Sequence, residues 1–151
     1  MRLTRQTNIA IRIMMYCAAN NPEELSRVQD IAKAYSVSEL FVFKILQPLV
    51  SGGLIKTARG RNGGIQLAKL PSKITILDVV KLTEDGFSMA ECFDEGGSDC
   101  PLIDNCSLNS ALRKALNAFF DVLSQYTIEN LVRSRPNINA LLGINFMREA
   151  G

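Results

Sequence analysis

The sequence predicts a mainly α protein with a small β-hairpin, on the strength of three patterns. Two short amphipathic segments, at 27–34 and 39–51, stand either side of a brief turn and read as a helix-turn-helix. A Gly- and Arg-rich stretch at 58–63 lies between short β-forming runs and reads as a hairpin directly behind them. A long apolar stripe from Ser107 onward reads as an extended helix. The expected organisation is a winged helix-turn-helix head at 1–73, a short helix and cysteine-bearing loop at 74–106, and a long dimerisation helix with a C-terminal helix at 107–151.

The first helix is expected at 5–19, where Ile9, Ile13, Tyr16 and Cys17 fall at i, i+4, i+7 and i+8. Asn20-Asn21-Pro22 ends it. Cys17 belongs to that stripe and reads as a small buried hydrophobe. Ser26 and Gln29 have the spacing of a capping box, opening a helix that buries Val28, Ile31 and Ala32. Tyr35-Ser36-Val37 makes the turn, and Ser38 caps the second helix. That helix turns Val42, Ile45, Leu46 and Leu49 inward and Glu39, Leu40, Phe43, Lys44 and Gln47 outward. Pro48 lacks a backbone donor and is expected to kink or loosen the last turn, before Gly52-Gly53 stops it.

Residues 54–57 and 64–67 read as paired strands. Asn62-Gly63 is the turn signal between them, since both residues tolerate positive φ. Residues 70–73 form a linker, and Thr75 with Asp78 opens a short helix to about Thr83. The stripe Leu108, Leu112, Ala115, Phe119, Val122, Leu123 and Tyr126 predicts one helix over 107–133, roughly 26 residues and about 39 Å long. That is more than a small head buries alone, so a second copy of the chain is the expected partner. Pro136 breaks the pattern, and Ile138, Leu141, Leu142 and Ile144 suggest a last short helix.

Charge is divided unevenly. Residues 1–73 carry 11 Lys/Arg against 4 Asp/Glu, whereas 74–151 carry 6 against 11. A basic head suits a polyanion, because each neutralised phosphate releases condensed counterions. A helix of this size fits the major groove of double-stranded DNA. The expected DNA contacts are Ser38, Glu39, Leu40, Phe43, Lys44 and Gln47 from the second helix, and Arg59, Arg61 and Asn62 from the hairpin tip.

The chain has no histidine, which removes His-based triads, His acid–base chemistry and His-containing zinc sites. There is no nucleophile–base pair and no phosphate-binding glycine loop opening a helix, so an enzyme is not expected. With no secretory signal and no membrane-length apolar run, a cytoplasmic protein with no membrane partner is expected. Cys92-x7-Cys100-x5-Cys106 places three thiols in one glycine-containing loop, a soft ligand set suited to an iron–sulfur cluster or to zinc. Zinc normally takes a fourth ligand, and the remaining thiol, Cys17, belongs to a buried stripe. Residues 84–106 hold seven carboxylates (Glu84, Asp85, Glu91, Asp94, Glu95, Asp99 and Asp104) and no Lys or Arg. Such surroundings disfavour an anionic cluster and point to one that is readily lost.

Several segments resemble the iron–sulfur winged-helix repressor family: Met1-Arg2-Leu3-Thr4, VSELFVFKILQPL at 37–49, RGRNGG at 59–64 and Met89-Ala90-Glu91-Cys92. The run LNSALRKALNAFF at 108–120 is similar to the rhizobial iron-regulator branch of that family, the RirA type. The resemblance covers nearly the whole chain. It implies a homodimer whose long helices cross, and an iron–sulfur cluster on Cys92, Cys100 and Cys106. A 4Fe-4S cluster with three Cys ligands and a non-cysteine fourth ligand is the form it implies. Some members supply an aspartate from the first helix of the other subunit. The matching position here is Asn8, and a neutral amide is a poor iron ligand. Others use a histidine, which this chain lacks. The fourth position is then expected to take water, a small thiol or another exogenous ligand. The implied function is an iron-responsive repressor of operator DNA. A nitric-oxide-sensing repressor is the alternative within the family, and an iron–sulfur electron carrier or cluster donor is the alternative outside it.

Overall fold

The computed structural model describes residues 2–21, 24–93, 100–102 and 106–144 of the chain. Helix α1 (Arg5–Ala19) opens at Thr4, whose side chain accepts from the Thr7 N–H, and closes at Asn20. Pro22, expected to help end it, lies outside the described residues. The expected stripe is inside: Ile9, Ile13, Tyr16 and Cys17 are all buried, together with Ala10 and Met14.

Helix α2 (Val28–Ala34) buries Ile31 and Ala32, with Val28 only half-buried. The capping box expected at its start does not form. Arg27 is the N-cap and makes no side-chain cap bond. Ser26 is drawn away by the hairpin: its N–H and C=O both pair with Ile65, at 2.8 and 2.9 Å. Its hydroxyl accepts from the Asn20 side chain at 3.1 Å. A Cβ on Gly64 would lie 2.6 Å from the Ser26 carbonyl oxygen, so this close approach requires glycine.

The turn into α3 (Glu39–Ser51) places Ser36 at φ +52. Ser38 caps α3 by accepting from the Phe41 N–H, and Val42, Ile45, Leu46 and Leu49 are buried as expected. The last turn is not displaced by Pro48: the helix runs on to Ser51, and the Gly52 N–H meets the Pro48 carbonyl at 2.9 Å. Proline lacks a backbone donor, but its carbonyl remains available to close the turn behind it.

Strands β1 (Ile55–Ala58) and β2 (Gly64–Leu67) pair antiparallel, with Ile55 opposite Leu67 and Ala58 opposite Gly64. The first strand begins one residue later than expected. The positive-φ residue of the intervening loop is Gly60, at φ +107, rather than Asn62 or Gly63. The Gly63 N–H closes a turn onto the Gly60 carbonyl at 2.9 Å, so the chain reverses at 60–63 and not on the Asn-Gly pair alone.

After a 3-10 turn at Pro71–Lys73, helix α4 (Ile76–Thr83) begins with the expected capping box between Thr75 and Asp78. A second 3-10 turn, Glu91–Phe93, carries Cys92. The long C-terminal helix is two helices, not one. Helix α5 (Ser107–Gln125) has 19 residues, about 28 Å, and α6 (Ile128–Arg133) follows it. The break has a local cause. Thr127 and Asn130 form their own capping box, and the Tyr126 carbonyl accepts from the Ile76 N–H at 2.9 Å. Ile128 then enters the core instead of extending the stripe. Helix α7 (Ile138–Leu141) ends the described chain.

The core gathers α1, α2, α3 and both strands, and it continues past residue 73 to include Ile74, Val79 and Ile128. Helix α4 packs on α1 and α3, and α6 packs on α1. The head therefore rests on residues from both halves of the chain. Among the described residues, no helix is long and apolar enough to cross a membrane.

Candidate functional site

Two places carry chemistry. The first is a cleft of about 890 Å³ between α2, α3 and the hairpin. It brings together Glu39, Phe43 and Gln47 from α3 with Arg59 and Arg61 from the loop between β1 and β2. Ser38, Leu40, Lys44 and Asn62 do not line it but are exposed beside it. Leu40 is 81% exposed and Phe43 51%, although both are apolar. Neither is consumed by packing inside the chain, which leaves them for contact with something outside it. Ser38 uses an oxygen lone pair for its cap and keeps its O–H for an acceptor such as a phosphate.

The second place is where the 3-10 turn bearing Cys92 meets the start of α5. Cys106 is the N-cap of α5, and its Sγ accepts from the Asn109 N–H at 3.4 Å. The Asn109 side chain donates to the Cys92 Sγ at 3.0 Å. Two of the three expected ligands, 14 positions apart in sequence, are thus tied to one residue. Both are half-buried, whereas Cys100 is exposed and is not brought into this group. Among the described residues, no three His, Cys, Asp or Glu side chains come close enough together to hold a metal ion. Asp94, Glu95, Asp99 and Asp104, four of the seven carboxylates read from the loop, lie outside the described residues.

Cys17 is a different kind of cysteine. It is buried in the core, and that burial pushes its thiol up to about 12. It stays protonated under ordinary conditions, as the small buried hydrophobe expected of the α1 stripe. Asn8 is exposed on the first turns of α1, facing away from the core.

Residues 3–134 match the Rrf2 family, described as an iron-dependent transcriptional regulator. The chain belongs to the Rrf2 family. It is 65% identical over 144 residues to protein aau3 of Rhizobium meliloti (strain 1021), covering 95% of this chain and 93% of that protein. It is 44% identical over 142 residues to the HTH-type transcriptional regulator NsrR of Geobacillus kaustophilus (strain HTA426), covering 94% and 97%. Its fold is similar to that of CymR, the global cysteine regulator of B. subtilis, with a TM-score of 0.70, 25% identity and coverage of 89% of this chain and 98% of CymR. As an Rrf2 protein, the chain is a transcriptional regulator and not an enzyme.

Four residues of this Rrf2 chain that complete the two sites were missed by sequence reasoning. Arg27, the N-cap of α2, and Gln29 in its first turn line the cleft. Asn109 had a legible signal: it stands three residues after Cys106, the spacing of an N-cap and its N3 partner. Arg113 lies one further turn along α5, and its Nε donates to the Asn109 Oδ1 at 2.7 Å.

Proposed function

We propose that this chain is a homodimeric repressor that binds operator DNA while Cys92, Cys100 and Cys106 hold an iron–sulfur cluster, and releases it when low iron or oxidation removes that cluster. The observation that carries the DNA half is the exposed apolar and polar face of α3 set against two arginines across one cleft. On this reading α3 enters the major groove. Lys44 and Gln47 reach base edges or phosphates, and Leu40 and Phe43 meet thymine methyls. Arg59, Arg61 and Asn62 follow the backbone or the minor groove beside it.

The donor set fits the cofactor half. Three free thiols with no histidine are soft ligands, and Asn109 already holds two of them at one spot. Cys100 is the ligand that has to come in. When bound, the cluster supplies iron–thiolate bonds that fasten the loop to the start of α5, and an iron open to solvent chemistry. By its resemblance to the family, Asn8 of a second subunit would stand near the fourth position, where a neutral amide is a poor iron ligand.

The chain's own residues offer a path from that loop to the head. Thr83 and Glu84, at the end of α4, lead into the cysteine-bearing segment. The Thr83 hydroxyl donates to the Thr7 hydroxyl at 2.9 Å, and the Glu84 Oε1 accepts from the Thr4 N–H at 2.7 Å. Helix α4 also packs on α3. A change in the loop therefore acts directly on the start of α1 and on the seat of α3. Two heads must match half-sites about 34–36 Å apart, so a small change in their spacing is enough to lose the operator.

A gel shift on the chain's own upstream DNA tests the reading. Cys100→Ala is expected to lose operator binding while its circular dichroism and unfolding midpoint stay unchanged. Full-affinity, operator-specific binding by that variant overturns the dependence on the cluster. Titrating the loaded protein with nitric oxide and, separately, with an iron chelator distinguishes the two signals: iron as the signal predicts release in the chelator arm at concentrations that leave free iron scarce.

A further inference from the structure

We propose that Asn109, oriented by Arg113, is a positioning residue that donates to two of the three cysteine ligands and sets how firmly the cluster is kept. The proposal rests on the reading of Cys92, Cys100 and Cys106 as the ligand set.

Asn109 reaches the two thiols with different groups. Its backbone N–H faces the Cys106 Sγ, and its side-chain Nδ2 faces the Cys92 Sγ. A free amide can turn either edge toward a sulfur, and only the NH2 edge suits a thiolate. Arg113 removes that freedom. Its Nε donates to the Asn109 Oδ1 at 2.7 Å from the i+4 position, so the oxygen is engaged on the side away from Cys92. The Arg113 guanidinium carbon lies 4.7 Å from the centroid of the Phe93 ring. Phe93 directly follows Cys92, so the contacts run in a closed circuit: Cys92 to Asn109, to Arg113, to Phe93 and back along the chain.

Arg113 also supplies what the loop itself lacks, because residues 84–106 contain seven carboxylates and no Lys or Arg. Donors facing thiolate ligands stabilise their negative charge, orient them and raise the cluster's reduction potential. Acidic surroundings promote loss of an anionic cluster, and the Asn109–Arg113 pair opposes it. The balance between them sets the threshold at which the cluster leaves.

The test uses the full-length chain, loaded anaerobically, with Asn109→Leu and Arg113→Met. Leucine keeps the volume and helix compatibility of position 109 without its amide; Arg113 is exposed, so its replacement spares the fold. Three quantities are read: iron and sulfide per chain, the rate of cluster loss to a chelator, and the one-electron midpoint potential. Asn109→Leu is expected to load as the parent does, to lose its cluster roughly 10–100-fold faster, and to show a lower potential. Arg113→Met is expected to move both readings in the same direction by less. A parent-like loss rate and potential in Asn109→Leu overturns the proposal and leaves the ligand reading standing. If Asn109→Leu does not fold, unchanged values in Arg113→Met overturn it. A parent chain that binds neither iron nor sulfide overturns the ligand reading itself.

Discussion

Helices α3 and α5 are both amphipathic, yet they spend their apolar residues differently. Helix α3 buries Val42, Ile45, Leu46 and Leu49 in the head and leaves Leu40 and Phe43 outside. Helix α5 buries no residue at all, although its stripe is the longer one. Leu108 is 65% exposed and Val122 53%. The difference shows that an apolar stripe states a need for a partner without naming it. For α3 the partner is chiefly its own chain. For α5, which packs on α4, part of the stripe stays exposed in the chain, and a second α5 is the occupant our reading assigns to it.

The largest effect that separates the two helices is on stability. Ile45→Ala, in the fully buried face of α3, is expected to cost about 2–5 kcal/mol in denaturant unfolding, because it leaves a cavity. The paired change Leu108→Ser and Val122→Ser on α5 is expected to leave the head's stability nearly unchanged. It should instead weaken self-association tenfold or more, about 1.4 kcal/mol, read by sedimentation. Unaltered association would show that the α5 stripe is not the dimer face.

Much of this contrast was legible in the sequence, and the misses have physical causes. The α3 periodicity gave its inward and outward faces residue by residue, because that helix has a single neighbouring core. The stripe of α5 was legible too, but not its end. The stripe runs to Tyr126 and no Gly or Pro follows before Pro136, so hydrophobic pattern alone merges two helices. The stop is written in Thr127 and Asn130, a capping pair of the same spacing as Thr75 and Asp78. Ser26 failed in the opposite sense: the local signal was present, and a strand distant in sequence took the residue. At the cysteine site the ligand types were legible from spacing, whereas Asn109 and Arg113 needed the turn at Glu91–Phe93 to be folded against α5 before their roles appeared.

The four cysteines repeat the comparison on a smaller scale, between one that stays in the core and three that do not. Burial holds Cys17 protonated to about 12, against an ordinary value of 9.0 for a thiol. Below pH 9 both folded and unfolded chains carry that proton, and the stabilisation is fully present. Between pH 9 and about 12 only the unfolded chain ionises, so stability falls by about 1.4 kcal/mol for each pH unit. Cys17→Ala is expected to start less stable and to lose this part of the alkaline slope, measured by denaturant unfolding at several pH values. An identical slope in both proteins would contradict the assignment.

The smallest effect concerns the break between α5 and α6. Thr127→Ala removes one half of the capping box and is expected to cost about 1 kcal/mol in thermal unfolding. A loss near zero would mean that Ile128, fully buried, fixes the break without help from the cap.

On our reading, the cysteine site decides when the head binds DNA. A single titration tests it: an iron chelator is added anaerobically to the loaded protein on fluorescent operator DNA, with cluster absorbance and DNA anisotropy followed together. The two signals are expected to fall in step, with DNA released as the cluster is lost. Anisotropy that stays high after the absorbance has gone would contradict it.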